Sequence, residues 1–241
     1  MTRLIETILI ALGAAVVIGM LGFYGWTQLS RYPAFDEAAL LAEDAQNTDG
    51  WIVFRPEGTP LAGFVFYPGG LVDPASYAPL MRQISDGGIL VVIVPMPLDL
   101  AVFGIGRADE VIAAYPDVKH WAIGGHSLGG AMACEYVSNN PNVFDGLILL
   151  ASYPADSTDL SEIDLPTILI YGTEDGVSGD VFEASKSRLP DDTMLVEISG
   201  GNHAQFGDYG PQKGDGAASI SRDQQQRLTA ESILDFLEKL P

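Results

Sequence analysis

The sequence predicts an α/β domain, with a mostly parallel sheet flanked by helices, behind one N-terminal transmembrane helix. Three observations lead to this prediction. Residues 7–26 contain no charged side chain, short apolar runs alternate with helical patterns from residue 51 onwards, and the run at residues 89–96, ILVVIVPM, is nearly continuous and rich in β-branched residues. Such a run is typical of a strand that is buried on both faces, as strands of parallel sheets are.

The uncharged run at residues 7–26 is long enough to form a helix across a bilayer, which needs about 20 apolar residues. An aromatic cluster at residues 23–26 ends it, as is common at membrane interfaces. No A-x-A-like cleavage site follows, so we expect an uncleaved anchor over residues 1–31 rather than a signal peptide. Basic groups favour the cytoplasmic side of a membrane helix. Two of them, Arg3 and the terminal amine, precede the helix and only Arg31 follows it, which favours an extracytoplasmic domain.

The rest of the chain is predicted as a juxtamembrane helical segment at residues 32–50 and one domain at residues 51–241. Strands are predicted at 51–56, 63–70, 89–96, 120–127, 144–152, 166–175 and 193–199, and helices at 36–46, 75–86, 106–115, 128–140, 181–188 and 224–240. Strands that alternate with helices indicate crossover connections between parallel strands. We expect the first two strands to be neighbours, joined at residues 57–60 as an antiparallel edge.

Composition excludes several kinds of protein. The chain has 241 residues, with 32 acidic and 12 basic side chains and a formal charge of −20. Sequence-independent nucleic-acid binding needs clustered basic residues, so no nucleic-acid partner is expected. Cys134 is the one cysteine, which rules out a disulfide within the chain. The sequence has no His/Cys cluster, so we expect neither a metal nor an organic cofactor.

The strongest motif is Gly125-x-Ser127-x-Gly129, placed between a predicted strand and a predicted helix. A nucleophilic serine at such a turn takes a strained backbone, and glycines on either side relieve the crowding. The turn also directs the backbone N–H of Leu128, at the helix N-terminus, towards a developing oxyanion. No lysine follows the glycines, which excludes a phosphate-binding loop of the Walker type.

A serine nucleophile needs a base, and the sequence contains three histidines. His120 precedes the nucleophile's strand, and His126 is adjacent to the serine, where we expect it to pack beneath the site or bond to backbone. His203 follows the last strand, at the edge of the sheet where reacting groups gather. Asp175, at the end of the preceding strand, is the candidate acid that orients the imidazole. Glu174 and then Asp156 are lesser candidates.

The second oxyanion donor is expected in the turn after the second predicted strand, Tyr67-Pro68-Gly69-Gly70-Leu71. Glycine lets the backbone approach a substrate oxygen closely. The N–H of Gly70 is the candidate, with that of Leu71 as the alternative. A simple turn would also account for these glycines.

With serine, acid and histidine in this order, the chain resembles the α/β-hydrolase superfamily over about residues 51–240. It looks most similar to compact, lidless members of the dienelactone-hydrolase-like branch, through YPGG at residues 67–70 and GGNHAQFG at residues 200–207. Dienelactone hydrolases proper have a cysteine nucleophile where this chain has Ser127. Pro68-Gly69 also replaces the His-Gly of many esterases.

The resemblance and the motifs together imply a membrane-anchored serine hydrolase that cleaves carboxylic esters through an acyl-enzyme, with a small ester or a lipid-like acyl substrate. An acyltransferase with the same triad and a non-catalytic membrane-tethered binding module are the alternatives. Residues 151–166 are too few for a large lid, so we expect an open pocket. The loop at residues 204–221 is expected either to wall one side of the site or to be a solvated surface loop.

Overall fold

The computed structural model describes residues 2–179 and 181–240. Its contacts divide the chain into two compact units, with the boundary between Arg31 and Tyr32. The first unit is one helix, α1 (Thr2–Ser30). Within the described residues, one segment, Glu6–Ser30, is long and apolar enough to cross a membrane, a test that an N-terminal signal sequence also passes. The helix extends beyond residues 7–26 because its polar flanks contain no helix breaker before Pro33.

The second unit is built on one sheet, which has eight strands over the described residues in the order β1-β2-β4-β3-β5-β6-β7-β8. Its strands are β1 (Gln46–Thr48), β2 (Trp51–Phe54), β3 (Ala62–Tyr67), β4 (Ile89–Ile93), β5 (Trp121–His126), β6 (Gly146–Leu150), β7 (Thr167–Gly172) and β8 (Met194–Ile198). Pairs from β4 to β8 are parallel. The pairs β1–β2 and β2–β4 are antiparallel.

The expected pairing of the first two predicted strands is wrong. Strand β2 pairs with β4 and with a short strand, β1, that the sequence did not indicate, while β4 lies between β2 and β3. Every residue of β3 is buried, so this strand needs a neighbour on each side. The strands β4 and β5 fill those positions in parallel, which leaves the hairpin of β1 and β2 as the antiparallel edge.

Helices cover both faces of the sheet, and the apolar strands alternate between the two layers. In β4, Ile89, Val91 and Ile93 face one core, and Leu90 and Val92 face the other. This explains why the run is continuously apolar. The helices are α2 (Asp36–Asp44), α3 (Ala78–Asp86), α4 (Ala108–Ala114), α5 (Leu128–Asn139), α6 (Val181–Ser185) and α7 (Arg222–Leu237).

The two layers are formed by different helices. Side chains of α3 and α7 belong to the first core, and side chains of α4 and α5 belong to the second. Because the strands β3 to β8 run parallel, the loops that follow them all emerge at one edge of the sheet. Ligands of such sheets bind outside this carboxyl edge, and the residues singled out by the sequence lie in these loops.

Candidate active site

Ser127 lies at a sharp turn between β5 and α5. Its backbone angles are φ 50° and ψ −122°, a conformation that residues with side chains rarely adopt because of steric strain. Ser127 N–H donates to the carbonyl oxygen of Leu150 at 3.0 Å. The hydroxyl of Ser152 donates to the carbonyl oxygen of Ser127 at 2.6 Å. The end of β6 and the loop after it therefore hold the serine in its strained conformation.

Glycine is required on both sides of this turn because backbone atoms pack closely there. A Cβ on Gly125 would lie 2.7 Å from the backbone nitrogen of Gly130, and a Cβ on Gly129 would overlap the carbonyl groups of Tyr67 and Pro68. Real Cβ atoms essentially never approach other atoms so closely. The two glycines thus allow α5 to start directly against the end of β3.

Asp175 and His203 form a hydrogen-bonded pair, although 28 residues separate them in the chain. His203 Nδ1 and Asp175 Oδ2 are 2.9 Å apart, and both side chains are almost completely buried. Asp175 also accepts hydrogen bonds from Val177 N–H and from the N–H and hydroxyl of Ser178. Burial opposes ionisation of Asp175, but the bonds from His203 and Ser178 outweigh it and lower the pKa from 3.8 to about 2.

The pairing with Asp175 determines the tautomer of the imidazole. Because the ionised carboxylate of Asp175 can only accept, Nδ1 of His203 carries the donated proton, and in this tautomer Nε2 carries a lone pair. His203 Nε2 is buried and has no hydrogen-bond partner among the described residues. His203 and Ser127 line the same open cleft of about 350 Å³. No hydrogen bond joins the two side chains in the described part of the chain, and such bonds often tighten only when substrate is bound.

The two residues expected to donate to the oxyanion lie close together, and one of them, Leu128, lines this cleft. Leu128 is the first residue of α5, so its N–H has no acceptor within the helix. A Cβ on Gly70 would lie 2.9 Å from Leu128 Cδ2. The N–H of Leu71 donates to the carbonyl oxygen of Asp99 at 2.7 Å, which favours Gly70 over Leu71 as the second donor.

Beneath the site, a tyrosine that sequence reasoning missed connects the oxyanion loop to the serine turn. The Tyr77 hydroxyl accepts the N–H of Gly69 at 3.0 Å and lies 2.8 Å from Nδ1 of His126. The ring of His126 packs on His203, with 4.5 Å between centroids. Burial, and next the charge of His203, lower the pKa of His126 well below 6.5. His126 therefore stays neutral, and its Nδ1 shares a hydrogen bond with the Tyr77 hydroxyl.

A second carboxylate supports the histidine from behind. Asp215, in the loop at residues 204–221, accepts the backbone N–H of His203 at 3.1 Å and that of Ala204 at 2.8 Å. It also accepts the N–H of Gly176, in the loop that carries Asp175. Asp215 thus joins the acid loop to the histidine loop. None of the described residues of this loop lines the cleft, and its Asp215 contacts the backbone of the histidine loop.

No hydrogen bond or ion pair described in the structure joins the lesser candidates to His203, whose Nδ1 pairs with Asp175. The side chain of Glu174 is exposed, and His120 lies 3.5 Å from Asp145 at the start of β5, at the opposite edge of the sheet. Asp156 lines the cleft but pairs with Arg188 at 3.2 Å. The described residues contain no group of His, Cys, Asp and Glu side chains that could hold a metal ion.

The cleft is open because the connection between β6 and β7 is short. This segment, residues 151–166, has no helix, and its first part lines one side of the cleft. The remaining lining is mostly small or apolar, with Leu128, Ala131, Val177 and Val181 among its residues. Ser127 thus lies in an open cleft that no helix between β6 and β7 covers.

Comparison with known proteins agrees with this fold. The sequence model described as "Alpha/beta hydrolase family" matches residues 63–227, and the chain belongs to this family. The sequence matches no curated protein.

Among solved structures, similarity is high in fold and low in sequence. Est1E from Butyrivibrio proteoclasticus with bound ferulic acid has a TM-score of 0.60 and 12% identity, and the match covers 79% of this chain and 98% of that one. For dienelactone hydrolase from Anabaena variabilis the TM-score is 0.59, with 16% identity and coverages of 79% and 91%. For MenH from S. aureus it is 0.60, with 14% identity and coverages of 80% and 99%. At these identities the likeness shows the shared fold.

Proposed function

We propose that the protein is a serine hydrolase that cleaves carboxylic esters, with Ser127 as nucleophile, His203 as base and Asp175 as the orienting acid. One observation carries this proposal: the imidazole is held on Asp175 at 2.9 Å, its buried Nε2 has no partner in the described part of the chain, and His203 lines the cleft that also contains Ser127. A base with a free lone pair beside a strained serine is the arrangement that acyl transfer needs.

The first half of the reaction forms an acyl-enzyme. Ser127 Oγ attacks the ester carbonyl carbon as His203 Nε2 takes the hydroxyl proton. Negative charge develops on the carbonyl oxygen, and the N–H groups of Leu128 and Gly70 stabilise it. The tetrahedral intermediate then collapses. The C–O bond to the alcohol breaks, and the imidazolium returns its proton to the leaving alcohol.

Water completes the cycle by the same steps. His203 removes a proton from a water molecule, whose oxygen attacks the acyl carbon, and Ser127 leaves with the proton that the imidazolium gives back. Asp175 remains ionised throughout and stabilises the imidazolium each time it forms. These steps use side chains and backbone of this chain, so the proposal includes no metal and no organic cofactor.

Two alternatives make different predictions. An acyltransferase would use the same residues, but it must keep water from the acyl-enzyme, and the open cleft favours water as the acceptor. A non-catalytic binding module would have no use for a serine at φ 50°, because such strain costs about 1–3 kcal/mol and persists mainly at functional sites.

We also propose that α1 anchors the chain in a membrane as a single-pass helix, with residues 32–241 on the extracytoplasmic side. Its length and its exposed apolar side chains support the anchor. The orientation rests on the tendency of basic residues to stay on the cytoplasmic side of a membrane helix, where Arg3 would lie at one end and Arg31 at the other. Protease accessibility of the domain on intact cells tests it, and a domain that is protected until the cells are opened would contradict it.

Labelling with a fluorophosphonate probe tests catalysis. We expect the full-length protein to be labelled and Ser127→Ala to be unlabelled. Ser157→Ala, which changes an exposed serine outside the cleft lining, is the matched control and should keep the label. An unlabelled wild-type protein would contradict both hydrolysis and acyl transfer. Release of acid from p-nitrophenyl esters, with and without an added alcohol, then separates these two reactions.

A further inference from the structure

The first residues of the domain are bound directly to the loop that carries the proposed oxyanion donor. Tyr32 N–H donates to the carbonyl oxygen of Leu71 at 2.7 Å, and Asp73 N–H donates to the carbonyl oxygen of Tyr32 at 2.9 Å. The two bonds form a short parallel bridge between residues 32 and 72. Leu71 is the neighbour of Gly70, so the first residue of the domain, Tyr32, is bonded to the residue that follows the proposed oxyanion donor.

The same short segment is bound to the loop that follows the catalytic histidine. Phe35 N–H donates to the carbonyl oxygen of Asp208 at 2.8 Å, and Ala34 forms an antiparallel bridge with Tyr209. The rings of Tyr32 and Tyr209 pack with 5.7 Å between centroids. Residues 32–35 therefore lie between the oxyanion loop and the histidine loop, at the carboxyl edge of the sheet.

Very little chain separates this segment from the proposed membrane helix. The helix α1 ends at Ser30, and Tyr32 is already bonded within the domain. Two residues span at most about 7 Å when fully extended. A long flexible linker would let a domain move far from its anchor, whereas here only Arg31 lies between the end of α1 and the first residue that is bonded within the domain.

Apolar side chains are exposed at this edge of the domain. Val102 is 44% exposed, Val177 37% and Val181 54%. Val177 and Val181 line the cleft, and Val102 lies in the loop after β4, whose Leu100 side chain approaches Gly70. Exposed apolar groups that surround a binding cleft are a feature of membrane and partner contacts.

We infer that the substrates of the cleft are long-chain esters held in the same bilayer that anchors the chain. This inference rests on the proposed function, since it needs both the serine hydrolase and the anchor. A chain with a charge of −20 is not drawn to anionic lipid, so the tether and the apolar side chains must provide the contact.

The experiment lengthens the tether. The full-length protein is reconstituted in phosphatidylcholine vesicles, and a variant carries 20 Gly/Ser residues between Ser30 and Arg31, a linker with an end-to-end distance of about 25 Å. One substrate is p-nitrophenyl palmitate in the same vesicles, and the other is p-nitrophenyl acetate in the buffer. We expect the insertion to slow palmitate release about tenfold, because the effective concentration of the cleft at the bilayer falls, and to leave acetate release unchanged.

Two valines provide a matched pair of variants. Val102→Ser removes an exposed apolar side chain at the carboxyl edge of the sheet, where the cleft lies. Val143→Ser removes a valine that is 43% exposed and precedes β6, at the opposite edge of the sheet. We expect Val102→Ser to slow hydrolysis of p-nitrophenyl palmitate about threefold, because it removes part of one apolar contact with the bilayer. Val143→Ser should have no effect, and neither variant should change acetate release.

The outcomes separate this inference from the proposed function. If acetate is hydrolysed but palmitate is not, or if the insertion leaves palmitate release unchanged, the inference is wrong and the serine hydrolase stands. Equal slowing of both substrates by the insertion would also contradict it, since that result indicates damage to the site. If neither substrate is hydrolysed and the fluorophosphonate probe does not label the protein, the proposed function itself fails.

Discussion

Replacing Asp175 with asparagine should separate the catalytic and the structural roles of the buried carboxylate. In the wild type, Asp175 accepts the Nδ1 proton of His203 and hydrogen bonds from Val177 and Ser178. An amide in this place has no charge to stabilise an imidazolium, and its NH₂ group can force the ring into the wrong tautomer. From the same change in serine proteases we expect kcat to fall about 10⁴-fold.

The effect on stability follows from the pKa. A carboxyl whose pKa falls from 3.8 in the unfolded chain to about 2 in the folded one contributes about 2 kcal/mol, at about 1.4 kcal/mol per unit. The folded-state pKa is the lower one, so this stabilisation is present above pH 3.8 and is lost as the pH falls through 2. The wild type should therefore be more stable than Asp175→Asn at pH 6, and the difference should shrink to less than half at pH 2.5.

Urea unfolding, followed through the buried Trp51 and Trp121, measures this difference at the two pH values. Glu174→Gln is the matched control, because Glu174 is adjacent in sequence and exposed, and it should change neither kcat nor the free energy of unfolding. A stability difference that is the same at pH 6 and pH 2.5 would refute the reasoning about the pKa. Asp175→Asn with more than a tenth of the wild-type kcat would refute the proposed role in catalysis.

Three further predictions concern the supports of the site. Asp215→Asn should lower kcat about tenfold with little change in KM, since it weakens the acceptor that holds the backbone of His203, and steady-state kinetics on a soluble ester check this. Tyr77→Phe should cost about 2–3 kcal/mol in urea unfolding, because it leaves the buried N–H of Gly69 and a histidine nitrogen without partners. A chain that begins at residue 31 should hydrolyse p-nitrophenyl acetate at the wild-type rate, whereas one that also lacks residues 32–35 should lose most of this activity.

Each of these has a control and a contrary result. Asp235→Asn, an exposed change on α7, should leave kcat unchanged, and an equal effect of Asp235→Asn and Asp215→Asn would contradict a specific role for Asp215. Tyr24→Phe, in the proposed anchor, should not alter unfolding of the domain, and a wild-type midpoint for Tyr77→Phe would show that its hydroxyl bonds contribute little. Full activity without residues 32–35 would mean that these residues do not support the oxyanion loop.

Local patterns in the sequence were sufficient for most of the fold. The continuous run at residues 89–96 and the strand–turn–helix around Ser127 were both predicted and both form, because burial on two faces and a tight turn restrict which residues a short segment can contain. The pairing of β2 with β4 was not predicted. A turn signal at residues 57–60 reports only that the chain bends there, and which strands pair depends on the burial of β3 between two neighbours.

The contrast between His203 and Asp215 shows the same limit at the site. With three histidines in the sequence, position in the alternation of strands and helices was enough to select one candidate base. Asp215 is one of 32 acidic residues, and no spacing distinguishes it from the others. Its contacts with His203 and Gly176 appear only when two loops meet. The same holds for Tyr77, which bonds to a histidine 49 residues away.

The sequence by itself determined the order along the chain of all strands but β1, the family resemblance and the three candidate triad residues, because each depends on residue types at short range along the chain. Only the tertiary structure decided the strand order, the support of His203 by Asp215 and the position of residues 32–35 between two active-site loops. These features depend on contacts between segments far apart in the chain, and the energy of such contacts comes from packing and hydrogen bonding that no local pattern records.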